Sequence, residues 1–529
     1  MTRWSVLPMP LIVVALCLVS EAATIRVPDH QPTIQAGIDA ATAGDTVLVA
    51  CGAYYEHDIV MKSGVCLVSE TGQPDCVTVD AQGLGRGFCC NGLSGETRLE
   101  GVTIANGAAL GEWWPDCAGG GVYMLDSSPV LTALAIVGCV ARDGAGLCCD
   151  QSSPTLESMS FVGNSAADAG GGMQFRSSTA VLFAITLSGN SGGTGGGIYV
   201  NASSISLEEV SFSGNTSPTG MGGGMSCDDS DVSLAGCVFS ENTAGYGGGL
   251  HLPHGSRSSV DDTDFNTNSA IQGGAVYCSV GSPSFTSTTF SGNTASDDGG
   301  AVYCWGADET PLFSQCDFRG NAAGVDGGAI NCLSEVQPIL HGCVFAGNEA
   351  AECGGGLYCD GFASPILEEC TFARNTAGSY GGGMLCSFWH NDLINCTFYG
   401  NEAGTSGGAV YGRHNGWADF ENCLVAFTCR GGAVGGDGTL DFTMTCSDVY
   451  GNVGGDWSGP IGGQLGVEGN IMQNPMLCNP SFDDFRIDAA SPCTPEGNEC
   501  GVMMGAHGVG CGGTAVESTS WGSVKALFR

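Results

Sequence analysis

The chain has 529 residues, of which 88 are Gly and 29 Cys, with 54 acidic and only 15 basic side chains and a net charge of -39. Its hydrophobic share of 43% is too high for a charged disordered tail. The charge repels phosphate backbones and anionic lipid heads, which excludes nucleic acid and a basic membrane patch while leaving cations and neutral or weakly polar surfaces open.

The first element is "MTRWSVLPMPLIVVALCLVSEAA". Arg3, an apolar run around Leu11 to Val19 and the small residues Ser20 and Ala22 read as an export signal over residues 1–22. Leu16 precedes Cys17, which argues against a lipid anchor. No later stretch approaches the ~20 consecutive apolar residues of a membrane helix. The expectation is an exported chain without a transmembrane span, extracellular or associated with an outer membrane.

Residues 23–116 form an N-terminal cap and the first coils. "PTIQAGIDAATAGDTVLVA" predicts an amphipathic helix from Pro32 to Ala43, with Ile34, Ile38 and Ala41 on one face, a stop at Gly44 and a strand over Thr46 to Ala50. Such a helix would hide an open sheet edge.

Residues 117–430 are a repeat. Asn164, Asn190, Asn215, Asn242, Asn268, Asn293, Asn321, Asn348, Asn375 and Asn401 recur at intervals of 25 to 28 residues. A large apolar residue stands three positions before each of them, Phe290 and Phe318 for example, and another stands five before that, such as Leu234 or Leu340. A second motif, Gly-Gly followed by a short alternating run, puts an aliphatic residue at one parity, from Val122 and Leu147 to Met384 and Val410. At the other parity Tyr123, Gln174, His251, Tyr303 and Asn331 vary freely, so only the first face is expected to be dry.

A period in the twenties whose apolar runs are short and broken by Gly, Ser, Asn and Pro predicts strands stacked coil on coil: an all-β, right-handed parallel β-helix. About twelve Gly-Gly coils at ~4.8 Å each would make a rod of ~58 Å. Glycine pairs such as Gly299 and Gly300 turn the chain where a Cβ would clash. Asn293 and its equivalents are expected to tolerate left-handed backbone angles and to hydrogen-bond along their own ladder.

Cys227, Cys278, Cys304, Cys332, Cys359 and Cys386 share one inward position with Met124, Phe175, Val200 and Leu252 of other coils. Cys237, Cys316, Cys343, Cys370 and Cys396 share another with Met159, Ile185 and Val210. Exchange with aliphatic residues marks burial, so buried thiols or scattered disulfides are favoured over a metal array, and no metal site is expected.

The densest acidic cluster follows "LPHGSRSS": Asp261, Asp262 and Asp264, with His254 and Arg257 nearby in sequence, are the best catalytic candidates. Neighbouring coils supply Ala235, Gly236, Thr286 and Ser287 at the matching places, so a solvated acidic face is the favoured reading. Loops after the Gly-Gly strands carry Trp305, Phe388, Trp389, His390, His414 and Trp417 as candidate ligand-binding residues, with Phe388 and Trp417 on adjacent coils as a stacking platform. One turn, "GGDGTLDF" at Gly435 to Phe442, half matches a calcium-binding nonapeptide, and only weak Ca2+ binding through the net charge is expected.

Residues 431–512 look like irregular coils that close the far end, with Cys478, Cys493, Cys500 and Cys511 available as staples. Residues 513–529 form a short basic tail, read as a sorting signal or an overhang.

The helix-then-strand opening and the alternating "FSGN"/"FAGN" and "GGAV"/"GGAI" motifs resemble exported right-handed β-helix proteins of the pectin-lyase-like superfamily. The motif pair resembles in particular the repeat of chlamydial polymorphic outer membrane proteins. The function expected is a secreted or cell-surface scaffold, adhesin-like or carbohydrate-binding and without catalysis, whose partner is a polysaccharide, a cell-surface glycan or a surface protein of a host or neighbouring cell. The alternative is a polysaccharide lyase or glycoside hydrolase with a groove along the rod.

Overall fold

The computed structural model describes residues 22–253, 257–306, 309–388, 390–414, 416–437 and 442–512. Some coils, such as the one through Thr186–Ser188, lack the third strand, but a full coil takes the chain through four short strands. In the coil that begins at Ser284 they are Ser284–Thr286, Thr289–Ser291, Thr294–Ala295 and Val302–Trp305. Each pairs in parallel with its counterparts in the coils before and after. Stacking gives a first sheet of 17 strands, a second of 16, a third in groups of 3 and 8, and a fourth of 15. The fold is an all-β right-handed parallel β-helix.

The in-register pairing puts like on like. Phe212, Phe239, Phe265, Phe290, Phe318, Phe345, Phe372 and Phe398 form one continuous ring stack on the inward face of the second sheet, with centroids 4.3 to 5.1 Å apart. The ten asparagines are fully buried at the corner that follows. Asn293 is typical: its Nδ2 donates to Phe265 O at 2.9 Å and to Asn321 Oδ1 at 3.0 Å, and its backbone N–H donates to the same Oδ1 at 3.0 Å. The corner is thus closed by side chains instead of water.

One left-handed residue makes each bend, and at this corner it is the residue before the asparagine: Gly292 (φ +63°), Gly320 (+60°), Arg374 (+55°). The expectation that the asparagine itself turns the chain is therefore corrected. Its amide is occupied by the ladder, while its neighbour takes the strained angle. At the next corner Gly299 (φ +68°) and Gly300 behave as expected, since a Cβ on them would lie 2.5 Å from Val302 O and 2.1 Å from Gly328 O.

Both predicted cysteine ladders are buried free thiols among the described residues. Cys278, Cys304, Cys332, Cys359 and Cys386 stack in register. In the second ladder, Cys343 Sγ donates to Phe313 O at 3.4 Å and Cys370 Sγ to Leu340 O at 3.4 Å. Burial raises the pKa of thiols such as Cys227 and Cys386, which keeps them protonated. The disulfides, Cys51–Cys76, Cys446–Cys500 and Cys478–Cys511, lie at the two ends of the rod.

The outward side of the fourth sheet is drier than expected: Tyr303, Tyr358 and Tyr411 are each 6% exposed and Asn331 1%. The loop before each Gly pair folds over this side. Tyr246 meets Tyr277 and Tyr380 meets Tyr411, with centroids 5.3 and 4.5 Å apart, and Arg413 lies over the Tyr380 ring.

At the N-terminus the helix is shorter than predicted, Ile34–Ala40, because Thr33 caps it by accepting from the Ala36 N–H and Ala41 is already extended. Ile34, Ile38 and Ala41 are buried over Val27 and Val47.

The C-terminal part does more than close the end. Trp457 and Ile461 pack on the last coils, and the chain then turns back along the second sheet as a clasp. The clasp contains a small sheet of Leu477–Asn479, Asp484–Asp488 and Val509–Cys511, whose first two strands are antiparallel. Asp483 receives Arg319 Nη1 at 2.7 Å and also Arg374 Nη2, while Arg374 Nη1 donates to Pro480 O at 2.9 Å. His507 meets Thr371 Oγ1 at 2.7 Å, and Ala506 N–H donates to Thr397 Oγ1 at 2.9 Å. Irregular coils alone were expected, but this aperiodic segment buries its own apolar residues Ile487, Cys493 and Met504 against Leu424 and Ala426.

Candidate functional site

Strand alternation sends every second residue of the first sheet outward, and register sets which of them meet. Strand His390–Ile394 lies in parallel register on Trp417–Glu421, pairing His390 with Trp417 and Asp392 with Asp419. Thr443 of the following strand pairs with Asp419. The inward residues that follow the two aspartates, Leu393 and Phe420, are buried and anchor both strands.

His390 Nε2 lies 2.7 Å from Asp419 Oδ2 and 3.4 Å from Asp392 Oδ1. The Trp417 ring stands 4.9 Å from the imidazole and is 47% exposed. Thr443 donates its hydroxyl proton to Asp419 Oδ1. Burial pushes the Asp419 carboxyl up, but the hydrogen bonds from Thr443 and His390 outweigh it and hold the group below the usual carboxylate range. One nitrogen and two carboxylate oxygens thus converge on one point, all within 4.8 Å of one another. Parallel register brings Asp419 to His390 and Asp392, a grouping that their spacing in the sequence does not display.

A second aromatic group lies on the turn leading into this strand. Phe388 stacks on His414 at 4.8 Å and meets Phe362 at a tilt, with centroids 4.9 Å apart. The expected pairing of Phe388 with Trp417 is replaced by these contacts, because Phe388 occupies a left-handed turn position (φ +68°) aligned with the turns of Phe362 (+74°) and His414 (+55°). Trp389 lies outside the described residues. Trp305 is 44% exposed but ends a fourth-sheet strand between Ser279 and Leu333, several coils away from these rings.

The acidic cluster of Asp261, Asp262 and Asp264, several coils before His390, is spread around a corner. Asp261 points outward from the first sheet, Asp262 makes the left-handed bend (φ +44°) and Asp264 begins the second sheet. Their register partners are Ala235 and Thr286, and Val238 and Thr289, so no second carboxylate stacks on them. Arg257 goes elsewhere: its backbone N–H donates to Asp231 Oδ1 at 2.9 Å, at the rim of an open groove of about 600 Å³ lined by Thr155, Thr179, Ser206 and Ser233. His254 lies outside the described residues, as do residues 438–441 of the half-matched calcium turn.

Stacked acids do occur on the opposite side. Asp298 and Asp326 belong to adjacent coils, with Asp326 N–H donating to Asp298 Oδ1 at 3.1 Å and Cys353 N–H to Asp326 Oδ1 at 2.9 Å. Burial first, and the Asp298 charge second, lift Asp326 to about 6.

These features define a right-handed parallel β-helix with an exposed aromatic and carboxylate face. A family model described as the right handed beta helix region matches residues 170–330 and 266–425. No curated protein matches the sequence. Among solved structures, the catalytic domain of a GH87 alpha-1,3-glucanase in complex with nigerose is similar at 10% identity and a TM-score of 0.39, over 66% of this chain and 64% of that one. This chain therefore spans just under two thirds of that chain's length. A periplasmic alginate epimerase is similar at 9% identity and a TM-score of 0.33, over 80% and 84% of the two chains. The A-module of an Azotobacter vinelandii mannuronan C-5 epimerase follows at 12% identity and a TM-score of 0.23, over 84% and 94%. Likenesses this distant carry nothing about activity. No helix among the described residues is long and apolar enough to cross a membrane.

Proposed function

We propose that the chain is an exported, non-catalytic scaffold that binds a polysaccharide or cell-surface glycan on the outward face of its first sheet, around Trp417 and His390. The observation that carries this reading is the exposed Trp417 ring beside two in-register carboxylates. A sugar presents an apolar C–H face and a rim of hydroxyls; the ring takes the first, and the carboxyl oxygens of Asp392 and Asp419 accept from the second. The row Leu312, Ile339 and Ile366, 37 to 41% exposed, leads in register up to Asp392 and lengthens the platform. Rigid strands hold these groups before any ligand arrives, so little ordering entropy is lost on binding. Asp419 is held ionised and is unsuited to act as a general acid, which favours binding over turnover at this place. Export is supported by the leader-like residues 1–22 and by disulfides at both ends of the rod.

The full chain on a glycan array should give a hit that Trp417→Ala and Phe388→Ala weaken at least tenfold, with no new reducing ends. Binding indifferent to both substitutions would sink the reading. A lyase or hydrolase remains a second reading because Asp326, held near 6 beside Asp298, has the proton affinity of a general acid. Release of reducing ends or unsaturated products, lost with Asp326→Asn and kept with Trp417→Ala, would establish that reading instead.

A further inference from the structure

We propose that His390, Asp392 and Asp419 form a binding site for one divalent transition-metal ion of the zinc or manganese class. Nε2 of His390 faces Oδ1 of Asp392 at 3.4 Å and Oδ2 of Asp419 at 2.7 Å, and all three ligand atoms lie within 4.8 Å of one another. A single nitrogen has one proton to offer and here meets two carboxylates. A divalent ion satisfies all three groups together, with metal–ligand bonds of ~2.0–2.2 Å that small side-chain rotations would allow.

The donor set selects the ion. Calcium takes six to eight oxygens, whereas one imidazole with two carboxylates suits Zn2+, Mn2+ or Co2+ and leaves coordination positions open. Three further features point to a built site. The ligands come from two neighbouring strands whose inward Leu393 and Phe420 lock them, so the site needs no loop to order. Thr443 hydrogen-bonds the other oxygen of Asp419 and so orients that ligand, as outer-shell partners of metal sites do. The ligand side chains are 38 to 50% exposed, giving an ion a path from solvent and the open positions a route to an incoming hydroxyl. The site stands whether or not Trp417 binds sugar.

The test is a titration of the full chain with MnCl2, read by electron paramagnetic resonance of free Mn2+, and with CoCl2, read by its d–d absorption. Both are done in 0.3 M NaCl to suppress diffuse uptake by the net charge of -39. Cys429, an exposed free thiol, is replaced by Ser throughout so that it does not compete. One saturable equivalent is expected. His390→Ala, Asp392→Asn and Asp419→Asn should each weaken it at least tenfold, and Thr443→Val about tenfold. Trp305→Ala, at the end of a fourth-sheet strand several coils away, should leave metal affinity unchanged. Because these side chains point outward, the variants should keep the wild-type circular dichroism; should one misfold, Mn2+ broadening of the His390 ring signals in the wild-type chain decides the matter. Salt-sensitive, non-saturating uptake, or a stoichiometric site that survives the triple substitution, would overturn the proposal.

Discussion

Asn321 shows how much a single repeated residue holds. Its Oδ1 accepts from both the backbone N–H and the Nδ2 of Asn293, and its Nδ2 donates to Phe290 O at 3.0 Å. Asn321→Ala removes the partner of the Asn293 N–H and of Phe290 O and one of the two bonds of Asn293 Nδ2, all in a buried corner, at about 1–3 kcal/mol for each group left unpaired. A loss of about 3 kcal/mol or more is expected, read as faster amide exchange confined to the coils around Phe290 and Phe318. Uniform exchange along the rod, or a loss below 1 kcal/mol, would contradict the ladder. At the candidate site, His390 and Trp417 were legible as exposed rings, but Asp392 and Asp419 were not. These two stand just before the inward Leu393 and Phe420, and only superposing "HNDL" on "WADF" lines them up.

At the scale of the element, the C-terminal clasp joins two titrations of opposite sign. Asp448 is fully buried; its Oδ1 accepts the Gln473 N–H at 3.0 Å and its Oδ2 receives the Cys493 thiol at 3.3 Å. Burial lifts its carboxyl from 3.8 to about 7. The folded clasp therefore binds a proton that the unfolded chain gives up. Its stability is highest below pH 4, falls as pH rises toward 7 and is level above that. His507 is held below its ordinary value by burial, so its contribution is present above pH 6.5 and is lost as pH falls. Asp448→Asn should abolish the fall between pH 4 and 7, and His507→Gln should abolish the loss on the acid side. Amide exchange of Leu477–Asn479 and Asp484–Asp488, measured at pH 5, 6.5 and 8, checks both limbs. A wild-type slope that survives Asp448→Asn would assign the titration to another group.

For the whole molecule, charge is a cost that salt relieves. A chain at -39 spread along a rod repels itself, and the described ion pairs, such as Arg142–Asp168 and Arg319–Asp483, are few. Coulomb repulsion beyond a Debye length of ~30 Å at 0.01 M is cut to ~8 Å at 0.15 M. The melting temperature should therefore rise by several degrees as NaCl goes from 0.01 to 0.5 M, opposite to a protein held by surface ion pairs. A flat or falling response in calorimetry would mean that self-repulsion is already neutralised, by bound cations for instance.

What the sequence determined alone is the coil. Burial inside a solenoid repeats every turn, so Phe, Asn and Gly-Gly recur wherever the same environment recurs, and periodicity reads directly as packing. The tertiary structure decided the rest. Which outward side chains meet depends on register between strands whose intervals vary from 25 to 28 residues, and the outward rows carry no repeating constraint that would reveal it. The loops that dry the fourth sheet and the clasp along the second are aperiodic as well. Their positions follow from surfaces that exist only after the rod has formed.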